Sequence, residues 1–170
     1  HSLAVNATNK FDETRNSVKN FINANNKDEI VFTKNATESI NLVASTFGQK
    51  NIKKGDEIII TELEHHSNYV PWHYLRETKG VIIKFAPIND DGDIIISKLK
   101  ELITSKTKII AVTHLSNVTG TIVPIKEIVE IARKKNIPVL VDGCQSAPHI
   151  KIDVKDLDCD FYAISCHKVY

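Results

Sequence analysis

The sequence predicts an α/β fold in which a mostly parallel β-sheet is flanked by helices. Short runs of β-branched residues alternate with segments of helical periodicity along most of the 170 residues, which is the pattern of consecutive βα units. Several runs are almost continuously apolar, such as EIII and KIIAV, and strands of this kind are buried on both faces of a sheet. A chain of this length with 42% hydrophobic residues can form one domain with a sizeable core.

The N-terminal half supplies two predicted strands and three predicted helices. A helix is predicted over residues 11–24 (FDETRNSVKNFINA), followed by a strand over 29–33 (EIVFT). A second helix is predicted over 36–48, a strand over 56–62 and a third helix over 66–80. β-Branched residues indicate the strands, and apolar residues three and four positions apart indicate the helices.

The C-terminal half continues the alternation. Helices are predicted over 96–104 and 124–136. In the second, Pro124 lies in the first turn and Ile125, Ile128 and Val129 share one face, as in an amphipathic surface helix. No repeat or flexible linker indicates an internal domain boundary. The remaining predicted strands cover residues 81–88, 108–114, 138–142 and 160–165.

Composition argues against two classes of function. The 22 basic and 21 acidic residues give a net charge of +1, and there is no basic strip studded with aromatic residues, so we expect no nucleic-acid partner. No apolar run approaches the roughly 18 residues of a membrane span, and the N-terminus HSLAVNATNK lacks the pattern of a signal peptide. We therefore expect a soluble, already processed chain. Three cysteines without a CxxC pair favour a reducing compartment.

Polar side chains follow several predicted strands at the point where each strand ends. In open α/β sheets, ligands bind beyond the carboxyl ends of the strands. These side chains are therefore expected to meet at one edge of the sheet. The set comprises Glu64, His65, His66, Asn117, Asp142, Gln145, Ser165, His167 and Lys168.

Lys168 is the residue of this set for which a purely structural role is hardest to assign. A lysine at the end of a buried strand must extend to solvent or have its charge compensated. Taken singly, Thr37 is equally well explained as a helix cap, and Asp142 as a turn residue. The stretch Asn35-Ala36-Thr37-Glu38 precedes a helix, whose free N–H groups and dipole favour an anion. The same edge thus offers an anion site, a carboxylate, a lysine and a histidine.

One cofactor uses all of these groups. Pyridoxal 5'-phosphate needs a lysine for a Schiff base, a carboxylate that keeps the pyridine nitrogen protonated, and an anion site for its phosphate. A flat side chain stacked on the ring and a donor to the phenolic oxygen complete the set. The candidates, in the same order, are Lys168, Asp142, Thr37 with the helix N-terminus, His65 and Gln145.

Six stretches of the chain together resemble a known family. They are NATESINLVA, ELEHHSNYVPW, THLSNVTGT, VDGCQSAPH, LDCDFYAIS and SCHKVY, and they are similar to the class V aminotransferase-like group of fold-type I pyridoxal phosphate enzymes. Within that group they most resemble cysteine desulfurases of the SufS type. The resemblance implies the large domain of that fold, with a mixed, mostly parallel sheet of the seven-stranded type.

The resemblance also implies roles for individual residues. Lys168 would bind the cofactor as a Schiff base and then carry a proton, and Asp142 would pair with the pyridine nitrogen. Gln145 would bond to the phenolic oxygen, and His65 would stack on the ring and act in proton transfer. The phosphate would be held by Ala36, Thr37, Ser165 and His167, and Asn117 would contact the ring oxygen or the substrate carboxylate.

The activity implied is conversion of L-cysteine to L-alanine, with the sulfur leaving as an enzyme persulfide for iron-sulfur cluster assembly. A homodimer and a sulfur-accepting protein of the SufE or scaffold type are implied as partners. A bacterial cytoplasm and a plastid-like organelle, such as an apicoplast or chloroplast, both fit as locations.

Two residues depart from the family pattern, and one segment is expected to be missing. Cys166 replaces the usual glycine of S-G-H-K, and Cys144 replaces the alanine of D-G-A-Q; a side chain at a glycine position strains a loop that needs positive φ or a close approach to the cofactor. Residues 1–170 are expected to be a partial cofactor-binding domain. The small C-terminal domain and the persulfide cysteine would be absent, so desulfuration would not be completed by this chain alone.

Other functions remain open. Selenocysteine lyases, kynureninase-like enzymes and aminotransferases could use the same residues, and a fragment could serve only to bind a partner. A metal-dependent hydrolase is a weaker hypothesis, because no HExxH or His-x-His spacing occurs, and we expect no metal site. Its candidate ligands would be Glu64, His65, His66, His73 and His114.

Overall fold

A computed structural model describes residues 2–169 and has a five-stranded parallel sheet at its centre. The spatial order is β2-β1-β3-β4-β5, and every neighbouring pair is parallel. Five of the six predicted strands are therefore confirmed, as is the α/β class. The strands are β1 Glu57–Thr61, β2 Ile82–Ala86, β3 Thr107–Thr113, β4 Val139–Asp142 and β5 Phe161–Ala163.

Helices precede the sheet and connect its strands. Four of the five predicted helices match α2, α4, α5 and α6, and the short helices α3, α7 and α8 were not predicted. A π-helical turn, Ala44–Gly48, joins α2 to α3, and a 3-10 turn, His66–Asn68, precedes α4. The helices are α1 Ser2–Phe21, α2 Ala36–Val43, α3 Gln49–Asn51, α4 Val70–Lys79, α5 Ile96–Leu102, α6 Ile125–Arg133, α7 Ser146–His149 and α8 Val154–Leu157.

The core consists of two layers, one on each face of the sheet. Side chains of successive strand residues point to opposite faces, so Ile59 packs in the layer of α5 and α6. Its neighbours Ile58 and Ile60 pack in the layer of α2 and α4, around the fully buried Trp72. This double burial explains why the strands are apolar at nearly every position.

The strand order reverses beside β1, and this reversal positions the candidate site. The chain passes from β1 to β2 on one side and returns through α5 to β3 on the other side. Connections then leave the carboxyl ends of β1 and β3 in opposite directions, which opens a crevice between them.

The predicted strand over 29–33 is wrong. Residues Lys27–Glu29 form a 3-10 turn, Ile30 is extended, and no ladder includes this segment. β-Propensity largely reflects packing against neighbouring strands. Within residues 2–169, the sheet ends at β5 without pairing to this segment. Consistent with that isolation, 67% of Val31 is exposed.

The first helix differs from its predicted bounds, and it is the longest helix described. It begins at Ser2 rather than residue 11, ends at Phe21 rather than residue 24, and has no buried residue. Asn23, with a φ of 54°, lies directly beyond it. None of the helices within residues 2–169 combines the length and the apolar character needed to cross a membrane.

Candidate active site

A cavity of about 280 Å³ opens at the carboxyl ends of β3, β4 and β5. Of the strand-end residues expected to meet at this edge, Glu64 and His66 do not line the cavity. The nine residues that were given a role all lie on its wall: Ala36, Thr37, His65, Asn117, Asp142, Gln145, Ser165, His167 and Lys168. Asn35, Ser67, Thr113, Leu115 and Cys144 line it as well. The fold therefore brings together residues that are up to 133 positions apart in the chain, Asn35 and Lys168; the role of each residue remains a prediction.

The hydrogen bonds of Ser165 leave its proton available to a ligand. Its Oγ accepts from the backbone N–H of Ala36 at 3.0 Å and from the Cys144 thiol at 3.6 Å. A hydroxyl has two acceptor lone pairs and one proton. Because both lone pairs are used, the proton of Ser165 can be donated to an acceptor in the cavity. The contact to Ala36 also fixes Ser165 at the N-terminus of α2, where the helix dipole favours an anion.

Asp142 ends β4, and only 4% of the residue is exposed. Its Oδ1 accepts the backbone N–H of Cys144 at 3.0 Å, which fixes the carboxylate at the beginning of the turn that follows. Gln145 and Cys144 belong to this turn, so their positions on the wall depend on it.

Hydrogen bonding determines the neutral tautomer of His65. Its Nδ1 lies 3.1 Å from the backbone N of Ser67 and 2.5 Å from the Ser67 hydroxyl. A backbone N–H can only donate, so Nδ1 is the acceptor and the neutral ring carries its proton on Nε2. His65 is thus the N-cap of the 3-10 turn, and its side chain accepts from the Ser67 N–H, which ties the ring orientation to the turn that precedes α4.

Glu64 holds the edge of the site together, although its role was not recognised from sequence. Its carboxylate accepts from the hydroxyl of Thr61 at 2.6 Å, the backbone N–H of Thr113 at 2.9 Å and the Asn68 amide at 2.6 Å. The Asn68 oxygen in turn accepts from Trp72 Nε1. Burial, countered only partly by these three donors, raises the pKa of Glu64 to about 7, and nearby Asp142 adds to the rise.

The three cysteines occupy different environments. Burial raises the pKa of both Cys144 and Cys159 to about 12, with nearby carboxylates contributing. Cys159 packs against the core, as a structural thiol does, and Cys166 is exposed. The strain considered for Cys166 does not occur. The residue lies in a 3-10 turn, Cys166–Lys168, and the positive-φ residues other than glycine among those described are Asn23, Asn136 and Asp158.

The candidate metal ligands do not converge. His114 bonds to Tyr162, His73 stacks on Tyr69, and Glu64 is enclosed by amide and hydroxyl donors. Within residues 2–169, no three His, Cys, Asp or Glu side chains form a group that could hold a metal ion. The geometry therefore gives no support to the metal-hydrolase hypothesis.

Comparison with known proteins gives a consistent result. The family model described as aminotransferase class-V matches residues 1–170. A probable cysteine desulfurase of Halalkalibacterium halodurans is 47% identical over 169 residues, covering 99% of this chain and 42% of the relative. The chain thus spans less than half the length of that relative.

Solved structures agree in fold. The cysteine desulfurase CsdA of Escherichia coli, crystallised as an S-sulfonic acid, superposes with a TM-score of 0.92 at 37% identity, covering 99% of this chain and 42% of that one. An apo cysteine desulfurase of Thermococcus onnurineus superposes with a TM-score of 0.93 at 41% identity, covering 98% and 41%. At 37% and 41% identity, this chain is similar to these two enzymes in sequence as well as in fold.

Proposed function

The chain belongs to the aminotransferase class-V family, and on that basis we propose that its cavity binds pyridoxal 5'-phosphate in a cysteine desulfurase of the SufS type. One observation carries the proposal: a lysine and a serine with a free hydroxyl proton, both from the turn after β5, and a buried carboxylate at the end of β4 line one cavity. The cysteine desulfurases among its relatives support the choice of reaction.

The phosphate end of the cavity fits an anion. Ser165 offers its proton, and the N-terminus of α2 at Ala36 and Thr37 adds positive potential. His167, which also lines the cavity, lies in the turn that follows Ser165. Together these groups would hold the phosphate and orient the rest of the cofactor toward Lys168.

The pyridine nitrogen would need a negatively charged partner, and Asp142 would supply this carboxylate. Its low exposure strengthens an interaction with a cation, and Gln145 would donate to the phenolic oxygen. His65 would cover the ring face, with its Nε2 proton directed by the bonds of Nδ1 to Ser67. When bound, pyridoxal phosphate supplies an electron sink that stabilises negative charge at the substrate Cα.

Two residues of this chain would handle protons. Lys168 Nζ would hold the cofactor aldehyde and, once released by substrate, move the proton at Cα. His65 Nε2 would hold or deliver a second proton near the sulfur. Asn117 would orient the substrate carboxylate at the rim. General acid-base groups of this kind contribute about 10²–10⁴-fold in rate.

The sulfur of L-cysteine would pass to a thiol outside the three cysteines described here. The pKa values near 12 of Cys144 and Cys159 leave almost no thiolate at neutral pH. Cys166 is exposed but does not line the cavity. L-Alanine would be the second product.

We further propose that the protein acts as a homodimer, transfers sulfur to a SufE-type or scaffold protein for iron-sulfur cluster assembly, and works in a bacterial cytoplasm or a plastid-like organelle. The support for these assignments is the resemblance of the EHHSNYVPW and SCHK stretches to SufS-type enzymes.

Cofactor titration tests the proposal. Pyridoxal phosphate added to the chain should produce a visible absorption band that is lost in Lys168→Ala and retained in Lys134→Ala, a lysine at the end of α6. Protein isolated from its source should then release L-alanine from L-cysteine. A Lys168→Ala variant that keeps the same band, or an isolated protein that acts on selenocysteine and not on cysteine, would contradict the proposal.

A further inference from the structure

A second polar cluster lies outside the cavity and contacts the backbone of segment 142–146 at Gly143. It consists of His114 beyond β3, Tyr162 in β5 and Ser146 at the start of α7, and none of the three lines the cavity. His114 is 7% exposed and Ser146 is fully buried. The proposed reaction uses none of these side chains.

The three side chains form a continuous chain of hydrogen bonds. His114 Nδ1 lies 2.8 Å from the Tyr162 hydroxyl, which lies 2.6 Å from Ser146 Oγ. Ser146 Oγ lies 3.2 Å from the carbonyl oxygen of Gly143. The series therefore links β3, β5 and α7 to one peptide group next to Asp142.

Only one assignment of protons satisfies all three contacts. The Gly143 carbonyl must accept, so the Ser146 hydroxyl donates to it and accepts from Tyr162. The Tyr162 hydroxyl has then spent its only proton, so it accepts from His114. Nδ1 of His114 therefore carries a proton, and every bond points toward Gly143. Burial lowers the pKa of His114, which favours the neutral ring with its single proton on Nδ1.

The absence of a side chain at Gly143 leaves room for the Tyr162 ring. A Cβ built on Gly143 would lie 2.1 Å from Cε1 of Tyr162 and 2.7 Å from its hydroxyl oxygen. Only glycine lets the tyrosine ring lie this close to the backbone. The Gly143 N–H donates to the Ala163 carbonyl at 2.8 Å, so the same peptide segment is held from two sides.

We infer that Tyr162, with His114 and Ser146, is a positioning residue that fixes the 142–146 segment and thereby the Asp142 and Gln145 groups facing the cofactor. This inference rests on the proposed function for its link to the cofactor. The underlying prediction, that the relay immobilises the segment, does not depend on a ligand. The two parts can therefore be tested separately.

The test compares Tyr162→Phe, Ser146→Ala and the double variant with a matched control. Tyr162→Phe keeps the ring on Gly143 and removes only the hydroxyl. Tyr74→Phe makes the same chemical change at a tyrosine that is 63% exposed and remote from the relay. Hydrogen exchange of the Gly143, Cys144 and Ala147 amides is measured in the chain without ligand, and pyridoxal phosphate binding is followed by its absorption band.

Without ligand, we expect each single relay variant to increase exchange at these three amides about fivefold or more, because buried partners lose their hydrogen bonds. The double variant should add little to either single variant, since the relay acts as a unit. Tyr74→Phe should match the unchanged chain. Unchanged exchange in Tyr162→Phe, or effects that simply add, would overturn the inference.

With pyridoxal phosphate, Tyr162→Phe should weaken binding about fivefold or more and displace the absorption maximum, because Asp142 and Gln145 tune the ring. A weaker affinity with an unshifted spectrum would reduce Tyr162 to a general stabilising role and overturn its positioning of these groups. If the unchanged chain bound no cofactor, the proposed function would fail, while the exchange measurements would still decide the relay.

Discussion

A glutamate held by three donors lies at each end of β1, but the pKa values of the two are shifted in opposite directions: Glu57, at the amino end, is buried, and Glu64, three residues beyond the carboxyl end, is half-buried. At the amino end, Glu57 accepts from Lys84 at 2.8 Å, Thr104 at 2.6 Å and Thr107 at 3.2 Å. Burial acts to raise the pKa of Glu57, but Lys84 and the two hydroxyls bring it below its usual value. At the carboxyl end, Glu64 has only neutral donors, and its pKa rises to about 7.

The difference between the two glutamates is one bonded lysine. Lys84 neutralises Glu57 within the fold, so the amino end needs no further charge. At the carboxyl end, Glu64 and Asp142 lie near each other, and no cation is bonded to either within residues 2–169. A site of this kind favours a ligand that brings a positive charge, such as a protonated pyridine.

Removing the lysine should give the largest effect. Lys84→Met leaves Glu57 buried without its cation, and we expect a loss of about 3 kcal/mol in the free energy of unfolding. Urea denaturation measures it. The control, Lys98→Met, breaks an exposed pair with Glu101 and should cost less than about 0.5 kcal/mol. Equal losses of unfolding free energy in the two variants would mean that Lys84 stabilises the fold no more than an exposed lysine does.

Ligand binding should distinguish the two ends almost as strongly. Pyridoxal phosphate at 100 times its dissociation constant should stabilise the chain by about 2.7 kcal/mol. Asp142→Asn should reduce this gain because the pyridine nitrogen loses its charged partner. Thr104→Ala, at the amino end, should leave the gain unchanged even though it lowers the starting stability. A gain that survives Asp142→Asn intact would place the ligand elsewhere.

The raised pKa of Glu64 predicts a dependence of stability on pH. Between pH 4.5 and 7 the folded chain binds this proton more tightly than the unfolded chain, so the stabilisation is complete below pH 4.5 and is lost as pH rises through 7. We expect a fall of roughly 2 kcal/mol between pH 5 and pH 8 that is absent in Glu64→Gln. Glu62→Gln, in the same loop, is the control. Identical pH profiles for Glu64→Gln and the unchanged chain would contradict the assignment.

Glu57 should show the opposite and smallest effect. Its pKa is lowered in the folded chain, so its contribution is present above the unfolded value of about 4.5 and lost as pH falls below it. Glu57→Gln should therefore lower stability by a constant amount above pH 5 and flatten the fall in stability on the acid side, because the ion pair with Lys84 is lost at every pH at which it would form. Thermal unfolding between pH 3 and pH 7 checks this. An acid limb of unchanged slope in Glu57→Gln would contradict the assignment.

Sequence was a good guide wherever an element finds its partners within the described residues. β1 and β3 are recognisable because Ile58 to Ile60 and Ile109 to Val112 are buried on both faces. Residues 29–33 are also rich in β-branched and aromatic residues, but they pair with no strand among residues 2–169, so composition alone misled. The ends of α1 were misjudged for a related reason, because this helix packs too little of its surface to show a clear apolar face.

The cavity wall was predictable because polar side chains at the ends of parallel strands converge. The role of Glu64 and the relay of Tyr162 were not predictable. Sequence places Glu64 beside His65, but only the fold reveals that the carboxylate caps the Thr113 N–H on another strand. Likewise, the sequence predicts Tyr162 only as an aromatic residue of a strand, and the structure is needed to show that its ring packs against Gly143.

Reductive trapping tests the central claim most directly, by asking which lysine holds the cofactor. The chain is incubated with pyridoxal phosphate, reduced with borohydride, digested and mapped by mass spectrometry. We predict that the pyridoxyl group is found on Lys168 and that Lys84, at the other end of the sheet and paired with Glu57, is unmodified. Label on Lys84 or spread over surface lysines, with none at Lys168, would contradict the account.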